Sequence, residues 1–385
     1  MHYFIGVDVG GTTSTIAVGS EQRDVLYVSD QFETRSAAGP AATVQDIVDQ
    51  ILNFLQHQGH DLRDVASVAL ATPGPATRDG VLLKTPNLDP RLWNRCPIRK
   101  MLETALGQNL RNRASPPDSD APSGPIAVRY IGDGQAAAFG EYAIRKRLLQ
   151  WPEIWSNPHA DTRPHFDPQT LDSLFLIAVG TGLGGGEVQN GRVAIGREGR
   201  AGHAGHMFLP YDAFRYAPDR EFRVGNAVST VESAVSLTAL THQLEHRLSL
   251  PEWSDHPLRS APGTFKDRAK QLRELAAQGD PLASELFDDQ ARATGIALLQ
   301  INYLGDFDLL VIGGGVCDLA TDTRRRYLQI AQAAYLEHAL DGFRNLEGFA
   351  FSICGDQASV IGALAHSYGP GLGAPSATAT VATNT

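Results

Sequence analysis

Cysteine is almost absent: Cys96, Cys317 and Cys354 are the only three in 385 residues, an odd number without close spacing. That excludes a disulfide framework and a cysteine-based zinc site, and it suits a reducing compartment. No apolar run approaches the roughly 20 residues of a membrane-spanning helix, so no membrane partner is expected. The opening Met1-His2-Tyr3-Phe4-Ile5-Gly6 lacks the basic region and long apolar stretch of a secretory signal. A cytoplasmic location is the expectation. Basic charge is scarce as well, with 33 Lys and Arg against 43 Asp and Glu and a formal net charge of −10. Nucleic-acid binders neutralise phosphate with a basic face. The one basic cluster, Arg324-Arg325-Arg326, falls in a predicted helix and reads as a solvated face. No nucleic-acid partner is expected.

Glycine, by contrast, is placed with purpose. A chain of this length suits two domains of about 150 residues each. Residues 3–9 form a β-rich run that stops at Gly10-Gly11 and resumes over 14–18, a strand, a tight turn and a second strand. Helical periodicity follows over 43–57, then a buried strand at 65–70 and a short strand starting at 81–82. A helix is predicted over 98–106. The Pro- and Ser-rich stretch 113–125 is loop chemistry and carries the first domain boundary, at 122/123. Beyond it come a strand at 126–131, a helix over 135–149 and a proline-rich exposed insertion at 151–172. A strand at 174–179 runs into Gly180-Thr-Gly-Leu-Gly-Gly-Gly186, and 187–195 reads as a hairpin turning at Asn190-Gly191. Helices are predicted over 231–248, over 264–304 with a break near Pro281, and over 359–367, with a strand at 309–312. The Gly-, Ala-, Ser- and Thr-rich tail 369–385 has little to bury and is expected to be disordered. No repeat of solenoid period occurs. What recurs is a strand followed by a glycine turn, at Gly10-Gly11, Gly180–Gly186 and Gly313–Gly315.

Such turns let backbone N–H groups converge on one spot without Cβ interference, and nests of this kind bind anionic oxygens. Each alone is also compatible with a plain tight connection. Gly180-x-Gly182-x-x-Gly185 matches the dinucleotide fingerprint, which requires a helix directly after the glycines. The continuation Glu187-Val-Gln-Asn-Gly-Arg-Val193 signals a hairpin instead. Asp8 is an acid in an otherwise apolar strand. A buried acid needs a partner, and a metal–phosphate complex is a natural one. Asp133 follows a strand and precedes the helix of Gln135-Ala-Ala-Ala-Phe139, where it suits a helix N-cap as well as a catalytic role.

Taken in order, these pieces resemble the ROK family of sugar kinases and sugar-responsive repressors, within the actin-like ATPase superfamily. Ile5-Gly-Val-Asp-Val-Gly-Gly-Thr-Thr13 is similar to its first phosphate loop. Ala71-Thr-Pro-Gly-Pro75, Thr85-Pro-Asn-Leu88 and Trp93 are similar to its sugar-side loops. Gly132-Asp133-Gly-Gln-Ala-Ala-Ala-Phe-Gly-Glu141 resembles the catalytic-acid segment, Gly180–Gly186 with Asn190-Gly191 the second phosphate loop, Gly202-His-Ala-Gly-His206 the sugar signature, and Leu310-Val-Ile-Gly-Gly-Gly-Val316 the nucleotide-side turn.

The resemblance implies a two-domain α/β fold of the actin-like (ribonuclease H-like) type with a cleft between the domains. One domain spans 1–122 and is completed by a C-terminal helix at 356–368; the other spans 123–355. It implies ATP-dependent phosphorylation of a hexose, glucose by default, with Asp133 as the base. ATP and Mg²⁺ are the implied cofactors. Asp8, Gly10, Gly11, Thr12, Thr13, Gly180, Thr181, Gly182, Gly184, Gly313, Gly314 and Gly315 would hold the nucleotide and its metal, with Mg²⁺ near Asp8. Gly74, Asn87, Gly132, His203, His206 and Glu232 would line the sugar. A small-molecule sugar is thus the expected partner, and a homodimer is an assembly that the family often forms.

Three departures stand out. Gly132 replaces the Asn that usually precedes the catalytic acid, and His203 replaces a Glu three residues before the signature His. The segment Val224-Gly-Asn-Ala-Val-Ser-Thr-Val-Glu232 contains no Cys, so the family's zinc motif is missing. A non-catalytic sugar or nucleotide binder of the same fold is therefore the alternative. A repressor is disfavoured, since the phosphate loop begins at residue 5 and leaves no room for a DNA-binding domain ahead of it. His203/His206 read as sugar contacts, and His242/His246, one helical turn apart, as part of a surface helix, because two histidines alone make a poor metal site.

Overall fold

The computed structural model describes residues 2–85, 88–112, 125–156, 168–342 and 348–369. In chain order its elements are β1 (Tyr3–Val9), β2 (Thr13–Gly19), β3 (Val25–Val28), β4 (Phe32–Glu33), α1 (Pro40–His57), β5 (Val65–Thr72), α2 (Pro90–Trp93), α3 (Ile98–Asn112), β6 (Ala127–Gly132) and α4 (Asp133–Arg145). They continue with β7 (Ser173–Val179), β8 (Leu183–Gln189), β9 (Arg192–Val193), α5 (Ala217–Glu221), α6 (Val231–Val235), α7 (Leu237–Ser249), α8 (Phe265–Ala277), α9 (Pro281–Gly305), β10 (Leu309–Gly314), α10 (Thr321–His338), β11 (Phe349–Phe351) and α11 (Ala358–Ser367).

Two sheets share one plan. The first runs β3-β2-β1-β5-β6, with β4 added beside β2; the second runs β9-β8-β7-β10-β11. In each, an antiparallel hairpin (β1–β2, β7–β8) is extended by two strands parallel to the first (β5 and β6, β10 and β11). Parallel strands are covered on both faces, which is why β5 and β10 are apolar almost throughout. The glycine turns that join β1 to β2 and β7 to β8 are a sequence trace of this structural duplication.

The helices after β6 and β11 tie the halves together. Helix α4 lies on β7 and β8 of the second sheet, and α11 lies on β1 and β5 of the first. They cross at glycines. A Cβ at Gly362 would stand 1.7 Å from the Ala136 carbonyl oxygen, and one at Gly140 would stand 2.3 Å from that of Ala358. Only backbone without side chains allows this approach.

The structure revises several expectations. The strand expected at 81–82 is a single bridge between Ala76 and Leu82. The helix expected over 231–248 is interrupted at Ser236, whose side chain caps α7 by accepting the Ala239 N–H. The helix expected over 135–149 starts at Asp133 and ends at Arg145. Gly184, Gly185 and Gly186 belong to β8, so the turn is confined to Gly180–Gly182. Within the basic cluster, Arg325 and Arg326 face outward and pair with Asp322 and Asp288, but Arg324 is only 4% exposed. Its guanidinium donates to the carbonyls of Cys317 and Leu319, both at 3.0 Å.

Strand β6 pairs with β5 and so belongs to the first sheet, although it lies beyond the boundary drawn at 122/123. That boundary, Asn87, residues 157–167 of the insertion and residues 370–385 of the tail lie outside the described residues. Among the described residues, no helix is long and apolar enough to cross a membrane.

Candidate functional site

Strand register places the first acid and the sugar-side loop at one edge. Asp8 pairs with Ala71 near the carboxyl end of β1, and Thr72 pairs with Gly132 where β5 and β6 end. Asp8, Gly74 and Asp133 therefore emerge along the carboxyl edge of the first sheet, the usual ligand edge of open α/β sheets. Asp133 is the first helical residue of α4, and Gly132 takes the N-cap position, so the capping role considered for Asp133 falls to its neighbour.

The Asp133 carboxylate accepts the Gly134 N–H at 2.7 Å. Burial nonetheless pushes this acid up to about 6. Asp8 is pushed up to about 7, by burial first and then by the charge of Asp133. It is partly relieved by the Ser359 hydroxyl, which donates to Asp8 Oδ1 at 2.9 Å from the first turn of α11. Neither acid is in an ion pair with a Lys or Arg among the described residues. Two half-buried carboxylates that repel each other, next to a phosphate-type glycine turn, fit a divalent cation carried in with a nucleotide.

A stack of glycines brings Asp133 toward the signature loop. A Cβ at Gly134 would meet the Gly185 oxygen at 2.5 Å, and one at Gly186 would meet that of Gly134 at 2.4 Å. Gly202, at φ +93°, would place a Cβ 2.5 Å from the Gly185 oxygen. The glycines of β8 thus serve close backbone packing of α4 against the strand. Gln135 locks the arrangement: its Oε1 accepts the Gly132 N–H at 3.3 Å, and its Nε2 donates to the Ala201 carbonyl at 3.0 Å.

Just beyond, the rings of His203 and His206 lie nearly parallel, 6.1 Å apart, and both residues are exposed. Partial desolvation of its ring, His206 and Arg200 hold His203 below the usual imidazole value, and Glu232 opposes them. Neutral imidazole both donates and accepts hydrogen bonds, as sugar hydroxyls require. Glu232 Oε2 accepts the Leu183 N–H at 2.7 Å and lies against Gly182, where a Cβ would approach it to 2.8 Å. Gly74 reaches the same place, its would-be Cβ 4.0 Å from the His203 ring. Trp93 stands apart: it is fully buried in the first core and donates to the Ser36 carbonyl at 2.9 Å.

The side expected to hold the nucleotide is built from the two equivalent hairpins. Gly10 N–H donates to the Thr13 carbonyl and Gly180 N–H to that of Gly182, both at 2.9 Å. Gly11 and Thr12 complete the first turn, and Thr181 is exposed on the second. Next to Gly180 and Thr181 opens a pocket of about 430 Å³ whose wall includes Leu237, Lys270, Arg273 and Gly315. Of the third glycine turn, Gly315 reaches this pocket. Gly313 is buried against Leu176, and Gly314, at φ +78°, packs on the Val179 carbonyl. Lys270 and Arg273 escaped the sequence reading, although their spacing of three on a helix puts them on one face. Arg273 is held by Asp318 at 2.9 Å. Among the described residues, no three His, Cys, Asp or Glu side chains gather as metal ligands.

The profile of the ROK family matches residues 4–113 and 166–367. The chain belongs to the ROK family. It is 25% identical over 368 residues to a glucokinase of Halalkalibacterium halodurans, covering 94% of this chain and 93% of that one. It is likewise 25% identical over 354 residues to an N-acetyl-D-glucosamine kinase of Salmonella heidelberg, covering 88% of this chain and 95% of that protein. Among solved structures, the ROK glucokinase of Streptomyces griseus in complex with glucose and AMPPNP superposes with a TM-score of 0.66 at 24% identity. That match covers 94% of this chain and 98% of that one. The ROK hexokinase of Thermus thermophilus gives 0.67 at 22% identity, covering 95% and 98%. The fold of this ROK protein is thus that of the actin-like sugar kinases.

Proposed function

We propose that this chain transfers the γ-phosphoryl group of ATP to a hydroxyl of a hexose, with Asp133 as the general base. The observation that carries the reading is the position of Asp133. It heads α4 where β6 of the first sheet ends, next to Gly134, which packs on Gly185 of the second, and among the described residues no cationic side chain is paired to its carboxylate. An unpaired carboxylate held near neutrality can take a proton from a sugar hydroxyl and point that oxygen at the phosphorus.

The backbone of Gly10–Thr13 and Gly180–Gly182 would cradle the phosphates, and the pocket beside Gly315 would take the nucleoside. Asp8 and Asp133 would hold Mg²⁺ through water, and the ion would neutralise charge developing on the phosphates. Gly74, His203, His206 and Glu232, with Asn87, would hydrogen-bond the sugar. Relatives that act on glucose and on N-acetylglucosamine both match, so the 2-substituent is the choice that a panel decides. The test is ADP release from Mg-ATP with hexoses, N-acetylhexosamines and their epimers. One preferred sugar with strict sugar dependence is expected; sugar and ATP binding without turnover would identify a non-catalytic binder instead.

The raised acid sets a pH signature. Asp133 works as a carboxylate, so kcat falls as pH drops through about 6, roughly tenfold per unit below it. Its effect on stability runs the other way. A folded value above the ordinary carboxylate value contributes stability below about 4, lost as pH rises through about 6. Asp133→Asn should therefore raise the Tm at pH 8 and leave it unchanged at pH 4. Thermal scans at the two pH values check this, and an equal shift at both would contradict it.

A further inference from the structure

Between His206 and Glu232 the chain leaves the body of the domain and returns to its starting point. Leu209 N–H donates to the Ser229 carbonyl at 2.8 Å, and Val231 N–H to that of Met207 at 2.9 Å. Phe208 and Thr230 form a bridge at the neck. The excursion 209–229 thus begins directly after one proposed sugar contact and ends directly before another. Inside it, α5 is the sole α-helix, and the rest has no strand ladder to stiffen it. Its position must come from side chains.

Those side chains converge on α7. Arg247 is fully buried, and its guanidinium meets Asp219 of α5 at 2.8 Å and both Glu285 and Asp289 of α9 at 3.1 Å. The same guanidinium lies 4.0 Å from the ring centre of Tyr216. One turn earlier, the His242 ring stacks on Phe222 at 4.3 Å and 17°, and its Nε2–H donates to the Pro218 carbonyl at 3.1 Å. His246 meets the Tyr216 ring edge-on at 5.2 Å. The two histidines are thus ring partners of the excursion, and not an idle solvent face.

A buried ion cluster adds little net stability, because desolvation offsets most of the attraction. What it does supply is one allowed geometry for the groups it joins. We infer that the excursion 209–229, clasped to α7 by Arg247 and His242, is a positioning element for sugar recognition that sets the spacing of His206 and Glu232. This rests on the proposed sugar site. The clasp lies toward the far end of α7 from Leu237, whose N–H donates to the Gly180 carbonyl on the nucleotide side. Glu232 stays fixed to the Gly180–Gly182 turn through the Leu183 amide, so loosening the clasp shifts His206 relative to it, weakening sugar affinity and leaving nucleotide affinity intact.

Arg247→Met leaves the buried Asp219 without its cation, while Asp289 and Glu285 keep Arg215, and it endangers folding; Phe222→Ala is therefore the decisive variant, with Phe222→Tyr as the conservative control. Calorimetry with the preferred sugar and, separately, with ADP reads both sites. Phe222→Ala should weaken sugar binding at least tenfold and change ADP binding less than twofold, while Phe222→Tyr behaves as wild type. Equal weakening of both ligands, or of neither, would overturn the inference. A wild-type protein that binds no sugar of the panel contradicts the sugar reading itself, before any variant is compared.

Discussion

Asp133→Ala is expected to lower kcat by about 10³- to 10⁴-fold, with ADP and sugar still bound. The size follows from what is removed. Asp133 is the one acid that stands at the head of α4 beside Gly134, where the glycine stack holds it toward the His203 loop. The other two carboxylates of the site are turned to other partners, Asp8 to the Ser359 hydroxyl and Glu232 to the Leu183 amide. Retained binding is expected because neither the pocket beside Gly315 nor the excursion 209–229 depends on the Asp133 side chain. Steady-state kinetics with calorimetry on the same preparation separates the two effects. A variant with more than a tenth of wild-type kcat would remove Asp133 from the mechanism.

The largest effect on folding belongs to Gly362→Ala. Its new methyl would sit 1.7 Å from the Ala136 carbonyl oxygen, so α4 and α11 cannot cross as they do. Backbone cannot swing aside as a side-chain tip does, and the cost should exceed about 3 kcal/mol. Activity should fall with it, since α4 carries Asp133 and α11 carries the Ser359 hydroxyl on Asp8. Gly107→Ala in α3 is the control: it meets Arg111 Nη1 at an ordinary 3.7 Å. A helix-interior Gly replaced by Ala should gain roughly 0.5–1 kcal/mol. Urea midpoints of the two variants should move in opposite directions; a Gly362→Ala midpoint at wild-type level would refute the crossing.

Motifs bounded by strand and turn were readable because their chemistry is local. Asp8 in an apolar strand, the turn at Gly10-Gly11 and the acid at the head of α4 needed only neighbours in sequence. Long-range partners were not readable. The Ser359 hydroxyl on Asp8 joins residues 351 apart, and nothing local to either marks the pair. Glycine was ambiguous for a physical reason. The same lack of Cβ that frees amides for phosphate also permits backbone-on-backbone packing, and Gly185 and Gly186 are used for the second. The charge run misled at Arg324, because charge in sequence does not reveal carbonyls such as those of Cys317 and Leu319 waiting beneath a helix. Strands β4 and β11, two and three residues long, are too short to show a period.

The most direct measurement is the fate of the γ-phosphate of labelled Mg-ATP given to the wild-type protein with its preferred sugar. The label should appear in a hexose phosphate, at a rate that vanishes when the sugar is omitted and with Asp133→Ala. Label that remains in ATP, or appears as inorganic phosphate regardless of sugar, would contradict a sugar kinase.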